Sequence, residues 1–391
     1  MILVLLAAMQ ASVATAAPPE ADPVIVVTGT PIRETERRLR DCLRRNCPPT
    51  EDIAATLAHA ENLFVNGDYR SAFRTSSAGA SRNRKFAAQY PNEVAGLMRA
   101  NGRIAAHLGE SDVQWSSVLG TADALRAGLG GEASNVLAAE VEVGDAYARA
   151  GKLRDAEHQY QRVAQRAAGL GDRRMEGYAL LQRALMLSLA GVKDPPMGVR
   201  ADRYVRELAE SKVPEHATFA EAARLLQARV AARRGDATLG NALVAQTTPQ
   251  SPNEKPRLVF VEPIDLDYKG PIPGGGSATG QLATMNFDNQ WIDVGFRIGG
   301  DGRVKDIEIL RTSDGVSANG WPAAVTRSIT SRRYAPIALP TDDDGIERTE
   351  RYTLTSTMGS STGSRVRQRS AIPRIEMLDL SIDRRAVASN R

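Results

Sequence analysis

The chain has 391 residues, 42% of them hydrophobic and 25% charged, so most of it can fold and its length suits two domains with tails. Its 50 basic and 46 acidic groups leave a formal charge of +4, near balance for this length, which argues against a nucleic-acid surface. No window after the first residues approaches the roughly 18 apolar residues of a stable membrane anchor.

Residues 1–17, MILVLLAAMQASVATAA, combine a short apolar run with small residues. Ala14-Thr15-Ala16 is a plausible cleavage triplet, so this segment is expected to be a signal peptide and the protein periplasmic, in a Gram-negative-type envelope. No Lys or Arg precedes the run, which leaves open a misassigned start or an unusual N-terminal helix. Residues 18–50 read as an arm and a basic helix. The arm contains the β-prone run Val24-Ile25-Val26-Val27-Thr28, stopped by Gly29 and Pro31. Its surroundings, PVIVVTGTPIRETE, resemble the short N-terminal box of outer-membrane receptors that depend on TonB; an ordinary strand or linker is the alternative. Arg33, Arg37, Arg38, Arg40, Arg44 and Arg45 then crowd one predicted helix, with Leu39 and Leu43 one turn apart. This helix is expected to cap a helical solenoid that begins near residue 51, with its arginines in water. Cys42 and Cys47 are the only cysteines, and an exported chain most simply joins them. Pro48-Pro49 supplies the helix break such a bond needs; two free thiols are the alternative.

Residues 51–246 carry small-residue pairs seven apart: Ala60/Gly67, Gly102/Gly109, Gly144/Gly151, Ala184/Gly191 and Ala228/Gly235. The second members fall 42, 42, 40 and 44 residues apart, a period that predicts a solenoid of five helical pairs. Each glycine is expected to close a first helix in the left-handed conformation, and each earlier small residue to admit the partner helix closely. The best copy, with Gly144, Tyr147, Gly151, Ala156, Tyr160 and Ala164, resembles the tetratricopeptide repeat in a long-helix form. That resemblance implies a groove lined by first helices that binds a protein. Asn101, Arg103, Asn135, Glu142 and Arg183 are the polar positions expected to be exposed there.

The stretch TTPQSPNEKP marks a linker, assigned to 247–255, and β-type patterning begins after it. Val294, Phe296 and Ile298 alternate along one strand. Val304, Ile307 and Ile309 line the next, with an irregularity after Val304, and Asp301-Gly302 turns between them. WPAAVTRSITSRR predicts one helix, and ERYTLT a last strand. The words DGRV, with Asp301, Gly302 and Val304, then Arg311-Thr312-Ser313, and Arg333-Tyr334-Ala335-Pro336, resemble the C-terminal domain of TonB and the related TolA domain. The resemblance covers 256–358 and implies a small α+β fold able to pair with an extended peptide, such as a segment of an outer-membrane receptor, or with a second copy through a sheet edge. The membrane anchor and Pro-rich spacer of an energy-transducing TonB are not seen. Residues 359–391 read as a basic tail whose apolar island, Ile372 to Leu380, could add a strand or short helix.

The chain carries no HExxH, GxSxG or P-loop motif. Its four histidines, His59, His107, His158 and His216, fall in separate repeats. The run Asp342-Asp343-Asp344 lacks the spaced ligands of a calcium loop. No catalytic, cofactor or metal residue is therefore expected. The expectation is multidomain: an all-α solenoid, then a small α+β domain, acting as a non-catalytic periplasmic adaptor. A TonB-type transducer working with a separate anchor, and an envelope or secretion-machinery scaffold, are the alternatives.

Overall fold

The computed structural model describes residues 30–192, 194–233, 249–266, 287–316, 320–340, 343–360, 366–370 and 372–381, with single positions at 236, 238 and 242. The segments 1–17 and 24–28, Gly235 and Asp342 lie outside these residues.

The N-terminal region is all helical. Helix α1 (Ile32–Arg44) lies against α2 (Pro49–Val65), and then come α3 (Tyr69–Asn83), α4 (Pro91–Leu108), α5 (Ser111–Leu129), α6 (Ser134–Arg149), α7 (Leu153–Gly169), α8 (Arg173–Ala190), α9 (Pro195–Ala209) and α10 (Ala217–Arg233). Consecutive helices pack on one another. Prolines open α2, α4 and α9, where their missing N–H costs nothing. Asp68 and Asp172 cap α3 and α8, accepting from the N–H of Ser71 and of Met175.

Three of the ladder glycines adopt positive φ: Gly67 (+88°), Gly109 (+78°) and Gly151 (+73°). Gly191 does not. It is right-handed (φ −62°), and a Cβ there would overlap the Gly198 backbone, so its small size serves the approach of α9. Gly144 faces the Tyr160 ring, which leaves no room for a side chain. Ala60, Ala184 and Ala228 are buried. Gly102 packs on Ser117. Asn101, expected on the surface, is buried instead and hydrogen-bonded to Ser76, Ser77 and Ser117, because its position faces α3 and α5.

Beyond α10 come β1 (Leu258–Phe260), β2 (Trp291–Ile298), β3 (Val304–Thr312), α11 (Trp321–Thr330), β4 (Arg333–Tyr334), β5 (Ile346–Thr355), β6 (Met358–Ser360), β7 (Arg367–Arg369) and β8 (Arg374–Asp379). The main sheet is antiparallel, in the order β3-β2-β5-β8, and β1 pairs with β4 and β6 with β7. Ile292, Val294, Phe296 and Ile298 of β2, with Tyr352 and Leu354 of β5, share a core with Val325 and Ile329 of α11. The DG turn works through its glycine: Gly302 has φ +74°, and its carbonyl accepts from Tyr334 N–H at 2.8 Å.

Two boundaries differ from the sequence reading. The segment assigned to a linker is, where described, packed onto this region. Gln250 is buried, its amide nitrogen donating to Lys255 O and its amide oxygen accepting from Arg257 N–H, while Pro336 O takes its backbone N–H. The segment assigned to a tail supplies β6, β7 and β8, because burying Ile375 and Leu380 repays ordering the strand.

Candidate functional site: the seam and the sheet edges

Alternation along β2 and β5 gives the sheet two unlike faces. The odd-numbered residues Trp291, Asp293, Arg351, Thr353 and Thr355 turn away from α11, and all five are buried. They are covered by the ends of the repeats. The Trp291 ring lies against Gly67, where even a methyl would clash, and it joins a cluster with Ala60, Leu63, Phe64, Tyr69 and Ile104.

Arg351 is at the centre and is fully buried. Its Nε and Nη2 donate to the two oxygens of Asp293 at 2.6 and 2.8 Å. Its Nη1 donates to Phe64 O at 2.7 Å and its Nη2 to Val65 O at 2.8 Å. Those are carbonyls of the last turn of α2, at the negative end of the helix dipole; Phe64 O also takes the Gly67 N–H at 2.9 Å. The guanidinium also stacks on Trp291, 4.0 Å from its ring centre. Arg311, half exposed, adds bonds to Asp293 from Nε (2.8 Å) and Nη2 (2.6 Å).

The next repeat is held in the same way. Arg374 of β8 donates to Ala106 O at 2.9 Å, and Arg369 reaches Leu108 O, near the end of α4. Met358 N–H donates to Gly109 O at 2.9 Å, and Arg367 pairs with Glu110 at 2.5 Å. Arginines of the sheet region thus close the C-termini of the first helices of two successive repeats. The far side is fastened separately, by Arg257 to Glu221 of α10 at 2.7 Å and by packing of Leu225 on Val259 and Ala335.

Titratable groups in the seam answer to this burial. The Thr353 hydroxyl lies 3.0 Å from the Tyr69 hydroxyl and 2.7 Å from His107 Nδ1. Burial, reinforced by Arg351, Arg374 and Arg103, pushes His107 down to about 3, so its ring is neutral. A Tyr69-to-Thr353-to-His107 proton order satisfies all three. Burial pushes the Tyr69 phenol up to about 12. Beside them on α2, burial raises the Glu61 carboxyl to about 7 against the opposing pull of Arg103.

The sequence-selected residues are spread over this frame rather than gathered. Arg311 belongs to the seam. Gly302 and Tyr334 meet at the base of the β2–β3 turn, with Asp301 Oδ1 accepting from Arg303 N–H, while Pro336 O accepts from Gln250 N–H. Val304 opens β3, packed at the edge of the core. Arg333 is exposed, and its neighbour Arg332 is the buried one, paired with Glu350 at 2.9 Å and donating to the Tyr334 and Tyr352 hydroxyls. A disulfide joins Cys42 and Cys47 across the α1–α2 corner. Glu51 lies beside that pair, but sulfurs bonded to each other are not thiolate ligands. Glu142 pairs with Arg99 at 2.9 Å and Arg183 with Glu157 at 3.0 Å, so both are committed. Arg351, Asp293, Trp291 and His107 were missed. One signal was available: opposite charges, Asp293 and Arg351, standing in two strands predicted in one sheet.

The sheet's two edges are different in kind. β3 has two register irregularities against β2, and Asp306 within it has φ +53°. Lys305, Asp306, Glu308 and Arg311 also charge that strand, and bulges and charges of this sort protect an edge. β8 pairs with β5 in unbroken register from Arg374↔Thr355 to Asp379↔Glu350. Among the described residues no strand pairs with its other side. No described helix is long and apolar enough to cross a membrane.

No family model matches the chain, and no curated protein does. Among solved structures, the crystal structure of BtubC (BKLC) from P. vanneervenii overlaps it with a TM-score of 0.39 at 15% identity, covering 55% of this chain and 87% of that one. An overlap that loose carries neither fold nor function.

Proposed function

We infer that the protein is a non-catalytic adaptor of the periplasm, in which the helical repeats recruit one protein and the sheet accepts an extended peptide segment. The observation that carries this reading is β8: a regular, six-residue edge strand with no described strand on its outer side, tied to the repeats through Arg374. Such an edge offers main-chain hydrogen bonds to an extended partner, with side-chain pockets alternating along it. Reading the helices as tetratricopeptide repeats and the sheet region as a TonB C-terminal-like domain supports the same division of labour. The Cys42–Cys47 bond suits an oxidising compartment.

The test is site-directed photo-crosslinking in intact cells with the full chain, the photoreactive residue replacing Met377 on β8 or Asn135 on α6. Discrete protein adducts from both positions in the periplasmic fraction are expected. A cytoplasmic protein, or none above background from either position, refutes the adaptor reading.

A further inference from the structure

A pocket lined wholly by repeat residues lies in the corner where the chain leaves α9 and enters α10. Its volume is about 290 Å³, at the lower end for a small-ligand site. Val213, Pro214, Ala217 and Ala220 give it apolar walls, and Ser211, Lys212, Glu221 and Arg224 supply its polar groups.

The corner is held in shape from behind. His216 is buried, with Nδ1 2.9 Å from Ser211 Oγ and Nε2 3.5 Å from the Glu176 carboxylate of α8. Ser211 Oγ also accepts from Val213 N–H at 3.3 Å. These ties fix the loop between α9 and α10, so a ligand entering the pocket need not order the chain, which lowers the cost of binding.

The charges around the pocket do not balance. Glu221 is the one carboxylate among the lining residues, and Arg257 engages it at 2.7 Å. Glu215, in the same loop, does not line the pocket, and its charge acts on Arg173 of α8. Lys212 makes no ion pair or side-chain hydrogen bond among the described residues. Arg224 gives a single long bond, from Nη2 to Ala209 O at 3.4 Å. Both side chains are exposed at the rim, so two cations border an apolar hollow with no carboxylate of the chain answering them.

We propose that this pocket binds a small organic carboxylate, with the carboxylate between Lys212 and Arg224 and the apolar body against Val213, Pro214, Ala217 and Ala220. An inorganic anion offers the charge but nothing for the walls. A neutral apolar compound would strip water from the cations and return no hydrogen bond. A free acid and the C-terminal residue of a polypeptide share the required chemistry. The site stands apart from the seam and from β8 and does not depend on the adaptor reading.

Alanine-methyl NMR of the full chain tests it, with the Ala217 and Ala220 signals assigned by substitution. The probes are isocaproate, its amide, acetate and the peptide N-acetyl-Gly-Gly-Leu. Isocaproate should shift both signals saturably, and the amide and acetate should each bind at least about fivefold more weakly. Lys212→Ala and Arg224→Gln, both at exposed positions, should each weaken isocaproate about fivefold and leave the amide unchanged. Ala217→Leu, which fills the pocket from an exposed position, should abolish the shift read at Ala220. Tighter binding of isocaproate than of the peptide assigns the site to a free acid, and the reverse assigns it to a chain end; either upholds the pocket. No saturable shift with isocaproate or the peptide at about 10 mM overturns the proposal. So does equal affinity for acid and amide, or an acid affinity that Lys212→Ala and Arg224→Gln both leave unchanged.

Discussion

Replacing Arg351 with methionine should uncouple the sheet from the repeats. The side chain is fully buried and gives four hydrogen bonds, two to Asp293 and two to the last carbonyls of α2. Breaking a buried ion pair from one side costs about 3–5 kcal/mol. Val65 O, left without a donor, adds about 1 kcal/mol, whereas Phe64 O keeps the Gly67 N–H. Arg311 still holds Asp293, which offsets part of the sum, so the expected loss is about 4 kcal/mol. Arg311→Met is the control, since that side chain is 48% exposed and its pair should be worth about 1 kcal/mol. Urea unfolding followed by tryptophan fluorescence reads both, because the indole of Trp291 stacks on Arg351. Arg351→Met combined with Asp293→Leu should recover much of the loss, since no buried charge is then left without its partner. Equal costs for Arg351→Met and Arg311→Met, or a cost for the first below about 1 kcal/mol, would refute a seam held by the buried guanidinium.

Gly109→Ala should cost several-fold more than Gly151→Ala in the same assay, since both have positive φ but only at Gly109 would the added Cβ overlap the Ser356 carbonyl oxygen. His107, held down near 3 when folded, contributes stability that is complete above its unfolded value near 6.5 and is lost as pH falls toward 3. His107→Asn should therefore flatten the acid limb of a stability-against-pH curve, and an unchanged limb would count against a neutral, buried ring. Glu61 works in the opposite direction: its folded value near 7 exceeds the unfolded 4.5, so its contribution is complete below 4.5 and is lost as pH rises through 7. Glu61→Gln should raise stability at pH 8 by about 3 kcal/mol and leave pH 4 nearly unchanged. Thiol alkylation should label Cys42 and Cys47 only after reduction, and labelling of the native protein would contradict the bond.

Period and alternation carried the sequence a long way. Small residues about 42 apart set where helices end and where they touch, because only glycine reaches positive φ cheaply and only a missing side chain admits a neighbour so closely. The strand–turn–strand around Asp301-Gly302, with a helix and a strand after it, was legible for the same local reasons. Whether Gly191 would be left-handed was not, since its small size answers to α9 rather than to its own turn. The tertiary structure alone decided which face of β2 and β5 would meet the helices. Local pattern marks a strand's residues as inward or outward but does not say that both sides are inward. Asp293 and Arg351 look like solvated charges until the α2 carbonyls, 286 and 287 residues from Arg351 in sequence, are placed above them. Likewise nothing near Arg374 announces Ala106, nor anything near Leu378 its cluster with Ile32. The union of the two regions into one body rests on such pairings, whose energy depends on burial and on partners that only the folded chain brings together.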